Sequence, residues 1–200
     1  MPENNKKLPQ KVIDYLTKAG VPHNIIEHKT VYTAYDAAMT MGKKLEEIAK
    51  SLVVKADKDY FLVILPANKS LDLEKVKKNI SKLRQKDVKM LKIPGEKIMK
   101  EALKLKDETV SAFGQLHKLP VIMDKALTKA KKAIFSSGGV NHSIEMEIKD
   151  FLNLEKASEG SFSVAKKIKK SAKNKSVIKK KNGAKKGWTV NSEKVISRKP

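Results

Sequence analysis

Cysteine is absent from this 200-residue chain. Disulfides, thiolate nucleophiles and cysteine-ligated zinc or iron–sulfur centres are therefore excluded, which is compatible with a reducing cytosol. Long hydrophobic runs are missing too: no stretch approaches the roughly 18 apolar residues that a membrane-spanning helix needs. The opening Met1-Pro2-Glu3-Asn4-Asn5-Lys6-Lys7 leads into no apolar segment of the signal-peptide kind. These absences make a cytoplasmic protein with no membrane partner the expectation. The glycine motifs that cradle phosphates or dinucleotides do not occur. His23, His28, His117 and His142 form no metal-ligand spacing such as H-E-x-x-H. Ser111 and His117 invite comparison with a nucleophile and its base, but no G-x-S-x-G elbow surrounds the serine. Neither a metal nor any other cofactor is expected.

Acidic residues are scarce, and unevenly so. The chain holds 44 Lys and Arg against 22 Asp and Glu, a net charge of +22. From Gly160 to Pro200 there are 13 Lys and one Arg against a single acid, Glu193. More than half of the excess charge thus lies in about a fifth of the chain. Such a tail seeks polyanions, and its binding should weaken steeply with salt. Residues 158–200 are read as a Lys-rich extension, with disorder expected from Ser163 to Lys186, because so few aliphatics cannot offset chain entropy. Trp188-Thr189-Val190 is a small apolar island inside it.

The rest is one domain with a real core. A helix is expected over about Pro9–Ala19, stopped by Gly20, and a strand over Val21–Glu27. Thr33 and Asp36 open a second helix that Gly42 ends. A short helix then leads to Lys50. Ser51–Ala56 and Tyr60–Leu65 read as a hairpin across Asp57-Lys58-Asp59, and Asp72 caps a helix reaching Ile80. Further on come a helix over Gly95–Leu105, strands at Thr109–Phe113, Pro120–Met123, Ala133–Ser137 and Ser143–Ile148, and a closing helix from Lys149 to Leu154. The interleaving lacks a regular βαβ rhythm. It points to a mixed α/β (α+β) fold with a mostly antiparallel, barrel-like sheet flanked by helices.

Lys50 stands out in Ile48-Ala49-Lys50-Ser51-Leu52-Val53-Val54, a charge embedded in an apolar run. It either carries its stem past the strand and puts its charge in water, or holds a fixed ammonium at the lip of the core, where an anion or oxyanion is met. Ser111-Ala112-Phe113-Gly114 and Ser136-Ser137-Gly138-Gly139 end two strands. Small residues there let backbone N–H groups approach a ligand closely.

Taken in order, these segments resemble the YbaK-like editing domains associated with prolyl-tRNA synthetase. The resemblance rests on Ala49–Val54, Leu71–Val76, Val110–Gly114, Leu119–Asp124 and Ile134–Gly139, and spans about Pro9 to Ala157. It implies hydrolysis of the ester that joins a wrong amino acid to the 3′ end of a tRNA. The residue matching the family's key lysine is Lys50. The resemblance places the pocket among Ser111, Ala112, Phe113, Gly114, Gly138 and Gly139. The substrate implied is tRNA-Pro carrying Cys, Ala or another small amino acid. The expected partner is aminoacyl-tRNA, with a synthetase or translation factor beside it. Where the family has Gly-Gly-hydrophobic-Ser-Pro, this chain has Glu108-Thr109-Val110-Ser111-Ala112. Two readings follow: a free-standing trans-editing deacylase, and a non-catalytic RNA-binding or regulatory module of the same fold.

Overall fold

A computed structural model describes residues 8–103 and 110–166. Pro9 leads into α1, Gln10–Lys18, whose Val12 and Leu16 lie one turn apart on a buried face. After β1, His23–Glu27, comes α2, Ala34–Met41. The Thr33 hydroxyl accepts the Asp36 amide at its start, and Gly42 closes it in the left-handed conformation, φ 61°. A single 3-10 turn, Leu45–Glu47, runs directly into β2, Ile48–Ala56. Lys50 is therefore the third residue of a strand rather than the end of a helix.

β2 turns through Asp57 (φ 54°) into β3, Asp59–Pro66. The short β4, Lys69–Leu71, leads to α3, Leu73–Arg84, where the Asp72 carboxylate accepts the Lys75 amide. There follow β5, Leu91–Lys92; α4, Glu96–Leu103; β6, Val121–Asp124; β7, Lys132–Ser136; β8, His142–Glu147; and α5, Ile148–Glu155.

The large sheet runs β1-β8-β7-β2-β3-β6, with β5 beside β2. The chain past Ala157 adds to it. Ser158–Gly160 forms β9 against β6, and Ser163–Ala165 forms β10 against β4. The extension expected from residue 158 thus begins as part of the fold. The physical reason is local: Phe162 is fully buried, and the buried Asp124 carboxylate accepts the Phe162 and Ser163 amides at 2.7 and 2.6 Å and the Ser163 hydroxyl at 2.9 Å. Trp188 and the rest of the tail lie outside the described residues.

Four pairings of the large sheet are antiparallel (β1–β8, β7–β8, β2–β3, β2–β5) and three parallel (β2–β7, β3–β6, β6–β9), so the sheet is mixed. Its strand path runs open from β1 to β9. β3 is buried on both faces, and its alternation sorts the core. Leu62 and Ile64 join α1, α5 and Phe113 on one face; Phe61, Val63 and Leu65 join Val76 and Ile80 of α3 on the other. A smaller cluster sets Ala38 of α2 against Ile48, Ala67 and Ile134.

The strand expected over Thr109–Phe113 does not form in its described part. Val110–Phe113 is irregular chain that drops Phe113 into the core, 5.7 Å from the Phe151 ring. Burial of one aromatic wins there over ladder pairing; among the described residues the backbone bond made to β7 is Ala112 N to Ser136 O, 2.9 Å.

Candidate functional site

Lys50 owes its position to strand alternation. Ile48, Lys50, Leu52 and Val54 project to one side of β2. Ile48 packs in the α2 cluster, and Leu52 and Val54 pack in the α3 cluster. The lysine therefore rises between α2 and α3, half-buried, and its ammonium donates to the Lys69 carbonyl of β4 at 3.1 Å. Asn68 Oδ1, one residue before Lys69, is buried without a hydrogen-bond partner among the described residues; so is Ser51 Oγ, which strand alternation turns to the opposite face of β2. Buried groups of this kind are rare and call for an explanation.

The register brings the turn alongside. Ala49 pairs in parallel with Phe135, which puts Lys50 next to Ser136 at the end of β7. The turn Ser137-Gly138-Gly139 starts there. Gly138 has φ 87°, a conformation that favours glycine. Both glycine amides already have acceptors: Gly138 N donates to Ser136 Oγ and Gly139 N to Ser137 Oγ, each at 3.2 Å. Ser137 Oγ donates in turn to the His142 carbonyl at 2.6 Å. A ligand oxygen would have to exchange with those hydroxyls. On the Lys50 side of the sheet, buried His28 meets Ser143: Nε2 lies 2.9 Å from Ser143 Oγ and Nδ1 2.8 Å from the Lys29 carbonyl. A carbonyl only accepts, so Nδ1 carries a proton.

The Ser111–Gly114 segment touches the same strand end through Ala112 N and Ser136 O. Its side chains, however, face inward. Ala112 and Phe113 are core residues. A Cβ on Gly114 would collide with Val121 Cγ2 and the Leu119 carbonyl oxygen, so this glycine answers to packing rather than to ligand approach. Ser111 Oγ and His117 Nε2 do meet, at 2.9 Å. Ser111 is only 3% exposed, which closes that hydroxyl to an ester substrate. Glu108 and Thr109 lie outside the described residues. Among the described residues no group of three or more His, Cys, Asp or Glu is placed to hold a metal.

The sequence profile of the aminoacyl-tRNA editing domain matches residues 28–154, more than half of the chain, including β2 with Lys50, β4 and the Ser136–Gly139 turn. The chain belongs to the aminoacyl-tRNA editing domain family. Solved structures share its fold. One is a protein provisionally named a trans-editing enzyme for prolyl tRNA synthetase, at 21% identity and TM-score 0.66, covering 78% of this chain and 97% of that one. Another is the hypothetical protein APE2540, at 19% identity and TM-score 0.64, covering 77% and 99%. A third comes from work on epitope backbone grafting by computational design, at 21% identity and TM-score 0.65, covering 79% and 97%. No curated protein matches the chain.

Within this editing domain, burial holds the Lys50 ammonium below the ordinary lysine range, and the charge of Lys166, just past β10, pushes the same way. Glu155 is the opposite case. Buried at the end of α5, its carboxyl is pushed up by desolvation, against the hydrogen bonds it accepts. It accepts the Gln115 amide at 2.9 Å and the Tyr15 hydroxyl at 3.0 Å, and so pins the 3-10 turn Gly114–His117. Lys69, Lys166 and the His28–Ser143 pair left no mark in the sequence, because strands distant in the chain bring them in. Glu155 did leave one: it lies on the apolar stripe of Ile148 and Phe151, where an acid needs a partner.

Proposed function

We propose that this editing domain is a deacylase that hydrolyses the ester between a small, wrongly attached amino acid and the 3′ end of tRNA-Pro, with Lys50 as its key residue. The observation that carries the reading is the half-buried Lys50 ammonium between α2 and α3, beside the end of β7 and bonded to the Lys69 carbonyl of β4. Ester hydrolysis passes through an oxyanion, and an ammonium held in a partly desolvated place stabilises it without reorganising. The same charge can instead hold the terminal phosphate and so place the ester. Water is the nucleophile, with the neighbouring ribose hydroxyl of the tRNA available to assist, so the closed Ser111 hydroxyl is not required. A small pocket sorts amino acids by size at about 1–3 kcal/mol per methylene. The basic tail adds sequence-independent phosphate contacts.

One observation favours the alternative, a non-catalytic RNA-binding module: the Gly138 and Gly139 amides are spent on Ser136 and Ser137. A single panel decides. Ala-tRNA(Pro), Cys-tRNA(Pro) and other mischarged tRNAs are incubated with wild type and Lys50→Ala. Release by wild type and not by the variant is the expected result. Intact esters with wild type, alongside tRNA binding, would replace the deacylase by the binding module.

A further inference from the structure

α2 is inside out. Its alanines face the sheet, with Ala37 and Ala38 buried, while Tyr35 and Met39, one turn apart, stand 54% and 66% exposed. A surface helix ordinarily turns its large apolar side chains inward. Tyr32, just before the helix, is 79% exposed, more than any other large apolar side chain in the described residues. This exposure does not come from a loose segment. The Val31 amide donates to the Val140 carbonyl at 2.8 Å, which ties the chain to the residue after Gly139, and Thr33 caps α2 immediately afterwards. The other face of α2 packs on Ile48, two residues from Lys50 on the same side of β2. The Val31–Val140 bond sets Tyr32 beside the turn that holds Gly138 and Gly139, and Tyr35 stands three residues further on, on the outward face of the capped helix.

Cations accompany them. Lys29 and Lys44 are exposed, and neither has an ion-pair partner among the described residues. Lys43 is held by Glu145 at 2.9 Å; of the nearby acids, Asp36 accepts from the Thr33 hydroxyl at 2.7 Å and Glu47 accepts the Lys44 amide at 2.9 Å. Exposed rings on a fixed backbone beside solvated lysines match unpaired nucleotides: a base stacks on the ring and its phosphate meets the charge.

We infer that Tyr32 and Tyr35 form a stacking platform for the unpaired bases at the 3′ end of the tRNA, and so position the terminal ester over Lys50. This rests on the deacylase reading and names how that site takes its substrate. They are positioning residues, because they touch the substrate away from the reacting atoms.

The test compares wild type, Tyr32→Ala/Tyr35→Ala and Tyr32→Phe/Tyr35→Phe. Each is assayed on mischarged tRNA, on a simple alanyl ester with no nucleotide, and for binding of an uncharged ACCA oligoribonucleotide. Loss of stacking should weaken oligonucleotide binding and raise the KM for tRNA about 5- to 150-fold per base. The phenylalanine variant should behave as wild type, and cleavage of the simple ester should not change. Both side chains are exposed, so the fold should survive. If wild type cleaves tRNA esters and the alanine variant has the same KM, the platform is refuted while the deacylase stands. If wild type cleaves nothing, the deacylase reading falls, and oligonucleotide binding alone decides on the platform. An alanine variant that changes oligomeric state with unaltered oligonucleotide binding would make the patch a protein interface and overturn the inference.

Discussion

The Lys50→Met variant keeps a long flexible side chain and removes the ammonium. If that charge meets the developing oxyanion, its loss should lower kcat about 10²–10³-fold, the usual effect of deleting one such group. The consequence for stability is of a different size. Among the described residues the ammonium makes one hydrogen bond, 3.1 Å to the Lys69 carbonyl, and burial and Lys166 both lower its pKa, so the folded state disfavours its charge. Losing the hydrogen bond costs about 0.5–1.5 kcal/mol, which relief of desolvation and burial of the thioether offset. The net change should stay within about 1 kcal/mol, or roughly 2–4 °C in Tm. Single-turnover deacylation and a thermal melt on the same preparation measure both. Alkaline pH adds a further check. Because the pKa of the free protein is lowered, the ammonium is lost below the ordinary value of 10.5, so log kcat/KM should fall with an inflection below that value. Lys166→Ala should move the inflection upward. The linked stability runs the other way: the native state sheds its proton first, so stability rises with pH between the lowered pKa and the ordinary one. Full activity in Lys50→Met would refute the catalytic role. A large drop in Tm would refute the electrostatic reasoning.

A truncation and two substitutions probe the frame around the site. Truncation after Ala157 removes the buried Phe162 and leaves the Asp124 carboxylate without three of its donors. A buried Phe alone is worth about 3–5 kcal/mol, so circular dichroism and urea melts should show this chain largely unfolded, while truncation after Lys166 should melt like wild type; equal melts would refute the structural role given to β9 and β10. Asp124→Ala should cost about 3 kcal/mol or more by orphaning the Phe162 and Ser163 donors. Since β10 holds β4, whose Lys69 carbonyl receives Lys50, activity should fall with it, and an unchanged urea midpoint would count against this lock. Gly114→Ala forces a Cβ against Val121 and the Leu119 carbonyl, which should destabilise the domain by about 1–3 kcal/mol in urea unfolding; a neutral result would show that the Gly114–His117 turn gives way easily.

What the sequence disclosed follows the range of the forces involved. α2 was readable to its ends because Thr33 and Gly42 act on their own neighbours, and Asp72 marks the start of α3 for the same reason. The β2–β3 hairpin and the alternation in Ile144, Met146 and Ile148 are likewise local patterns. β4, β5, β9 and β10 are two or three residues long, too short to show a period, and each exists only through a strand elsewhere in the chain. The same division runs through the candidate site. A lysine inside an apolar run is visible as an anomaly, and Lys50 does lie half-buried between two clusters of the core. Its acceptor on β4 and the neighbouring charge of Lys166 are not visible, since they arrive with β10. Glycine is where sequence misleads most, because the absence of a side chain serves two ends. Gly138 sits at positive φ in a turn beside the lysine, whereas Gly114 is glycine because Val121 and Leu119 leave no room for a Cβ. Both sit in a serine-containing loop at the end of an apolar segment, and only the residues packed against each one separate a turn at the site from a seam in the core.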